Sequence, residues 1–256
     1  FFFKQKTAYE ISTRDWSSDV CSSDLTNNSM KNEPVLSAKK GLNRFVWNLR
    51  RPNMPTIDNL YIEGNYSGGK IIPGDYTVVL NADGVEQTTT LHLTVDPRLN
   101  YSTQDYIAQD ELLKKLEKDM TDIHVSVNKM NALSKQISAV NKLIENDEGK
   151  SEVVKKGNAV IEKIKQWEEK LVQRKAQSYD DIINFVNKLS ANIIFVHGEL
   201  SGTVPYTTKG QEKRYNDLHA EWQKYESQMK ELLSNDIAAY NQLCRTLGVN
   251  NVVLPQ

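Results

Sequence analysis

Four histidines, two cysteines and 33 acidic side chains are the groups in this 256-residue chain that could hold a metal, act as a nucleophile or pair as acid and base. His92, His124, His197 and His219 lie far apart, and none belongs to an HExxH or paired-ligand spacing. Zinc needs three or four converging ligands, so neither a metal nor a cofactor is expected. His92 falls on the polar side of an alternating run and is expected in solvent. His124 and His219 flank apolar stripes and are expected as satisfied packing residues. Cys244 sits on an apolar stripe and reads as a buried, inert thiol. Together with Cys21 it can build neither a disulfide scaffold nor a four-ligand zinc site. The carboxylate pairs Asp147-Glu148, Glu168-Glu169 and Asp180-Asp181 fall at loops or helix ends. Glycosidase carboxylates must flank a sugar at about 5 to 10 Å, and nothing in the pattern predicts such a cleft. GxGxxG, GxxxxGK[ST] and GxSxG are all absent, so the residues predict no enzyme. Trp167, Trp222, Tyr215, Tyr225 and Tyr240 could form a sugar-stacking or peptide-binding surface; at helical spacing they could equally pack a core or an interdomain face.

The elements that must position these groups follow two regimes. Lys and Arg number 32 against 33 acids, a net charge of -1, so no charge excess favours nucleic acid or an anionic membrane. No apolar run reaches the roughly 18 to 20 residues of a membrane-spanning helix, and no membrane insertion is expected. From residue 26 to about 100 the apolar period is 2. Phe45, Trp47 and Leu49 share one face of a predicted strand over Arg44 to Leu49, with Trp47 expected in a core. Tyr76, Val78 and Leu80 alternate in a second run, and Leu91, Leu93 and Val95 in a third. Asp83-Gly84 between the last two supplies the positive φ of a tight hairpin turn. Pro73-Gly74 fits a turn feeding the first hairpin strand. A further weak strand is expected over Ile57 to Ile62.

From Asp105 the period becomes helical. Leu116, Ile123, Met130, Ile137 and Ile144 recur every seven residues, with Leu113, Met120 and Val127 as the partner series, continuing through Ser134 and Asn141. One helix from about Asp105 to Asn146, roughly 60 Å long, is predicted. Asn146-Asp147-Glu148-Gly149 breaks it, and Val153, Val160, Ile164, Trp167 and Leu171 stripe a second helix. Ser178 to Asp181 signals a third, running through Ile182, Ile183, Val186, Leu189, Ile193 and Val196 until His197-Gly198 begins its end. A fourth spans about Thr208 to Leu247, its stripe shifting after Leu232, with Gly248 as stop. Each helix is apolar on one side only, which calls for an extended antiparallel four-helix bundle with short connections between neighbours.

Two segments carry resemblances. Phe1 to Leu25 has no periodic face and resembles the conceptual translation of a sequencing-library adapter, so residues 1–25 are expected to be an artefactual tail. The block Lys40-Gly41-Leu42-Asn43-Arg44-Phe45-Val46-Trp47-Asn48-Leu49-Arg50, then Pro73-Gly74-Asp75-Tyr76-Thr77-Val78 and Val95-Asp96-Pro97-Arg98, resembles the C-terminal region of bacterial sortilin-like β-propeller proteins with BNR (Asp-box) repeats, often labelled glycosyl hydrolases. Gly41, Asn43, Phe45, Trp47, Pro73, Gly74, Tyr76, Asp96, Pro97 and Arg98 carry the likeness. It implies an Ig-like antiparallel β-sandwich, truncated here to residues 26–100, followed by a helical region over 101–256. In that family a Pro often stands where this chain has Val186, which implies that the third helix starts after Phe185. The resemblance also implies a periplasmic or extracellular location and an upstream β-propeller of the same protein as partner. The Asp-box pattern S-x-D-x-G-x-x-W is absent. The chain is thus expected to be an α+β multidomain, non-catalytic accessory module. The alternative is a carbohydrate- or protein-binding module that uses sandwich loops or Trp167, Trp222, Tyr215 and Tyr225.

Overall fold

In the computed structural model, which describes residues 36–202 and 204–254, the heptad stripe forms α1 (Thr103–Ile144). Ser102 caps its start: the hydroxyl accepts from the Asp105 N–H, and the Asp105 carboxylate reaches back to the Ser102 N–H, a capping box that satisfies otherwise orphaned donors. Leu113, Leu116, Met120, Ile123, Val127, Met130 and Ile137 are all buried as the spacing predicts, and Leu133 fills the position expected of Ser134. The artefact reading of residues 1–25, and Cys21 within it, lies outside the described residues.

The chain then turns back twice along this spine. α2 (Ser151–Leu171) places Asn158 beside Asn141 and Glu168 beside Asn131, so it runs antiparallel to the C-terminal half of α1. α3 (Leu189–Gly202) places Ser190 beside His124 and Leu200 beside Gln109, antiparallel to the N-terminal half. The last helical stretch comprises α4 (Lys209–Glu231), a π-helical turn at Leu232–Ile237 and α5 (Ala238–Thr246). His219 meets Asp119 and Tyr240 meets Asn141. Both pairs run in the same order along the two helices, so this rod lies parallel to α1.

The bundle is therefore corrected from four helices side by side to three rods, because α2 and α3 follow one another along α1. A fourth layer comes from an irregular segment. Met54, Ile57, Leu60, Ile62 and Tyr66 are buried in the same hydrophobic cluster as the helices, and the carbonyls of Pro55 and Thr56 accept from or contact His124 and Asn128 of α1. Part of the region assigned to the sandwich thus belongs to the helical core.

No sandwich forms among the described residues. The one sheet is an antiparallel hairpin, β1 (Gly74–Ala82) with β2 (Val85–Leu93), closed by Asp83 at φ 51° and Gly84 at φ 81°. The strand expected over Arg44 to Leu49 is absent: Leu49 takes φ 57°, which ends any extended run, and the only pairing nearby is an isolated bridge between Arg50 and Lys70. The weak strand over Ile57 to Ile62 is absent as well. Pro52 and Pro55 precede it without N–H donors, and Asn59 lies at φ 54°.

The third helix also departs from expectation. Ser178 and Asp181 do make a capping box, but it starts only a 3₁₀ turn at Tyr179–Ile183. Ile183 and Val186, expected on a buried stripe, are 90% and 77% exposed. α3 begins only at Leu189, beyond Phe185, and passes through His197-Gly198 to Gly202. The stripe shift in the last helix has a mechanical cause: the π turn inserts the extra residue that moves the apolar line from Met229 toward Ile237, Tyr240 and Cys244.

α2 lies close against α1 at Gly157. A Cβ there would stand 2.6 Å from Asn141 Oδ1 and 2.9 Å from Ile137 Cγ2. Gly→Ala on an open helix face stabilises by about 0.5–1 kcal/mol. Gly157→Ala should instead cost about 1–3 kcal/mol by overpacking, read as a lower urea midpoint; a raised midpoint would mean that α1 and α2 are not seated this closely.

Candidate functional site

The densest group of ionisable side chains sits where the irregular segment meets α1 and α3. Arg51 sends Nε to Glu117 Oε2 at 2.7 Å and Nη2 to Glu117 Oε1 at 2.9 Å, while Nη1 pairs with Asp110. Glu117 Oε1 also accepts from the Gly69 N–H at 2.6 Å and contacts His197 Nε2 at 3.2 Å. Lys114 reaches the other oxygen of Asp110 at 2.6 Å. Burial alone would raise the Glu117 carboxyl, but the bonds from His197 and Arg51, the guanidinium charge and the Gly69 N–H together hold it down at about 2.

Asp110 and Glu117 stand seven residues apart beside the Leu113–Leu116 stripe, so α1 presents both on the edge of its buried face. The spacing was visible in the sequence. Arg51, 66 residues away from Glu117, and His197, 80 away, had no periodic signal to join them. Chemically the cluster is saturated at Glu117 Oε1, which already takes three donors and offers no free lone pair to a substrate. Its geometry is that of a clamp. His197 Nδ1 is buried without a hydrogen-bond partner.

The remaining histidines separate as predicted. His124 is fully buried, with Nδ1 2.7 Å from the Pro55 carbonyl and Nε2 2.5 Å from Ser190 Oγ; burial pushes it down to about 4, against the Pro55 bond. His219 Nδ1 lies 2.7 Å from Asp119 Oδ2 and its ring stacks on Tyr215. Burial nonetheless raises Asp119. His92 is exposed and 2.5 Å from Asp75 across the hairpin. Cys244 is buried, and burial pushes its thiol up. No group of three or more His, Cys, Asp or Glu able to hold a metal occurs among the described residues.

The aromatic candidates are brought together only in part. Trp167 and Trp222 are 4% and 3% exposed and Tyr215 is buried, so none of the three offers an open stacking face. Trp167 Nε1 donates to the Tyr225 carbonyl at 2.8 Å. Tyr225 is half-buried and carries Lys224 Nζ 5.9 Å from its ring centre. These two do line a shallow groove of about 640 Å³ between α2 and α4, shared with Gln166, Gln228 and the π-turn residues Asn235 and Asp236. Lys163 spans it to Asp236 at 2.7 Å.

Of the residues on which the resemblance was based, Trp47 reaches the hairpin and Gly41, Asn43 and Asp96 to Arg98 form local turns. Gly41 takes φ 103°, and Asn43 closes that turn by bonding the Lys39 N–H and carbonyl. Phe45, Trp47 and Leu49 are half-buried on one side, as their alternation requires. Trp47 Nε1 donates to the Arg50 carbonyl, and its ring meets Tyr76 edge-on at 6.4 Å. Tyr76 in turn donates to the Ile72 carbonyl beside Pro73 and Gly74. Asp96, Pro97 and Arg98 form a separate turn in which Arg98 binds Asp96 through its backbone and guanidinium, drawing the carboxyl down to about 2. Trp47 is thus half-buried, not the core residue its placement predicted, because among the described residues no second sheet lies over it. Comparison with protein-family models, curated proteins and solved structures gave no match.

Arg51→Met leaves Glu117 with only His197 and the Gly69 N–H and should cost about 3–5 kcal/mol in a denaturant melt, the range for removing one partner of a buried pair. A loss below about 1 kcal/mol would reduce the cluster to a surface ion pair. Trp47→Ala should cost about 2 kcal/mol, below the roughly 3–5 kcal/mol of a fully buried indole.

Acid should unfold the protein in two stages. His124 is held neutral in the folded state, so stability falls as pH drops from about 6.5 to about 4. Glu117 is held ionised, so its contribution, complete above its ordinary value near 4.5, is lost as pH falls toward about 2. Asp119, raised on folding, works in the opposite sense and loses its contribution as pH rises. Melts from pH 7 to 3 check this, and Glu117→Gln should flatten the lower stage alone.

Proposed function

We propose that the chain is a non-catalytic accessory module of an exported β-propeller protein of the type its Lys40–Arg50, Pro73–Val78 and Val95–Arg98 blocks resemble, acting in the periplasm or outside the cell. The observation that carries this reading is the hairpin. Tyr76, Val78 and Leu80 of β1, with Leu91 and Leu93 of β2, form an apolar face that is only half covered. Among the described residues no helix packs extensively against either strand. Two strands with an uncovered apolar face are marginal in water, and a covering sheet or domain would remove the cost. In the finer form of this reading the hairpin belongs to an Ig-like β-sandwich whose other strands come from upstream in the parent protein, with the propeller beyond them. Glu117 Oε1, already met by Arg51, the Gly69 N–H and His197, supports a structural rather than a catalytic use of this carboxylate.

A second reading, a glycan- or protein-binding module, is favoured by the groove between α2 and α4. Amides from Gln166, Gln228 and Asn235 line it beside the edge of Trp167 and the ring of Tyr225, a mixture of polar and aromatic surface that suits a carbohydrate or an extended peptide.

The upstream propeller with its adjoining strands, supplied as a separate chain, should bind this one in a calorimetric titration, and Val78→Lys/Leu80→Lys should abolish the binding. Absence of binding, together with a glycan-array signal lost in Tyr225→Ala, would favour the second reading. Glycoside or peptide turnover by this chain alone would overturn both.

A further inference from the structure

The hairpin also has an unguarded edge. β2 runs Val85-Glu86-Gln87-Thr88-Thr89-Thr90-Leu91-His92-Leu93 in unbroken register with β1, with no bulge, lysine or proline, the devices that normally blunt an edge strand. Residues Val85 to Thr90 are exposed, and among the described residues β2 makes no backbone hydrogen bond outside the hairpin. The other edge is different: β1 starts beside Trp47 and the Arg50–Lys70 bridge.

The two-residue turn fixes which groups point outward. Ala82 and Val85 flank it and exchange the turn-closing bonds. Alternation then directs the N–H and C=O of Gln87, Thr89, Leu91 and Leu93 toward β1, and those of Glu86, Thr88, Thr90 and His92 outward.

We propose that β2 pairs with β2 of a second copy of this chain, antiparallel about a two-fold axis at Thr89, joining the two hairpins into one four-stranded sheet. This register sets outward groups against outward groups: Thr88 faces the second copy's Thr90, and Glu86 faces its His92. The pairs between them set Val85 against Leu93, Gln87 against Leu91 and Thr89 against itself. Every residue of the strand is used, apolar ends meet apolar ends, threonines meet threonines and an acid meets an imidazole, the kinds of cross-strand pair that stabilise sheets. A slip of one residue would turn inward-directed backbone groups to the partner. A slip of two would part Glu86 from His92. The contact is isologous and closes at a dimer, so it does not propagate into fibres. It also places the half-covered Tyr76, Val78 and Leu80 of both copies on one face of a sheet wide enough to be stable. This edge is separate from the apolar face proposed above for the upstream domain.

Sedimentation velocity of the full chain from low to high micromolar concentration should show a reversible monomer–dimer equilibrium. Thr88→Lys/Thr90→Lys and Thr88→Glu/Thr90→Glu alter only exposed side chains, and circular dichroism should show both folded. Each alone should be weakened at least about ten-fold in self-association, since like charges face each other twice across the axis. Mixed in equal amounts they should form a heterodimer, seen by native mass spectrometry, because each introduced lysine then faces a glutamate. A monomer at every concentration would overturn the proposal, as would a dimer indifferent to the lysines or a mixture that fails to associate. Slow exchange of the Glu86, Thr88, Thr90 and His92 amides in a monomer would mean that another segment covers the edge, and would equally overturn it.

Discussion

An apolar stripe that runs the length of a 42-residue helix has to be covered over about 60 Å, and among the described residues no other helix is long enough to do so unaided. That constraint organises the structure. α2 and α3, of 21 and 14 residues, share the task end to end and antiparallel, each covering one half of the spine. α4 and α5 cover the spine in parallel along its length, at the expense of a π turn that resets the phase of their own stripe. What remains open along the N-terminal half of α1 is filled by Met54, Ile57, Leu60, Ile62 and Tyr66. An irregular segment can fill such a gap only if its backbone polar groups find partners. The Met54 N–H donates to the Tyr66 carbonyl, and the Pro55 and Thr56 carbonyls are met by His124 and Asn128.

The buried polar residues set the registry between layers. Asn141 reaches Asn158 of α2 and Tyr240 of α5 at once, so it fixes how far each rod slides along α1. His124 joins α1 to α3 and to the Pro55 carbonyl. Arg51, through Glu117 and Asp110, fixes the irregular segment against the spine, with His197 fixing α3 to the same carboxylate. Hydrophobic contact alone tolerates such sliding; hydrogen-bonded partners in a low-dielectric interior do not, because each slip leaves a donor or a charge unpaired.

The parts of this arrangement legible in the sequence are those with a period. The heptads of α1 located both of its ends within two residues of Thr103 and Ile144, Asp83-Gly84 located the hairpin, and the shifted stripe after Leu232 was the visible trace of the π turn. Features built from residues distant in sequence left no such trace. Phe45, Trp47 and Leu49 alternate as a strand would and do share a side, but alternation does not reveal that Leu49 turns to positive φ or that no partner strand is present. Over Ile57 to Ile62 the apolar count suggested a weak strand, but Pro52 and Pro55 lack N–H donors and Asn59 turns to positive φ. Up-down packing of four helices was the default for short connections, yet the 3₁₀ turn at Tyr179–Ile183 lets α3 continue onward from α2 instead of beside it. At the candidate site, the heptad spacing of Asp110 and Glu117 was readable, whereas Arg51 and His197 converge on them only through the fold.

The functional proposals rest on the two surfaces that this packing leaves unfinished: the hairpin's apolar face and edge, and the groove beside the π turn. The hairpin lies outside the three-rod core and the groove opens at its surface between α2 and α4, so each can serve a partner without disturbing the spine. The central structural claim is that the core includes the segment around Arg51 to Gly69 while the hairpin stands apart. Native-state hydrogen exchange tests it most directly. The amides of Arg51, Met54 and Gly69, bonded to Gly69, Tyr66 and Glu117, should exchange only with the global opening that frees the centre of α1, and the hairpin amides should open at a lower free energy. Exchange of Arg51, Met54 and Gly69 together with the hairpin, ahead of α1, would contradict the account.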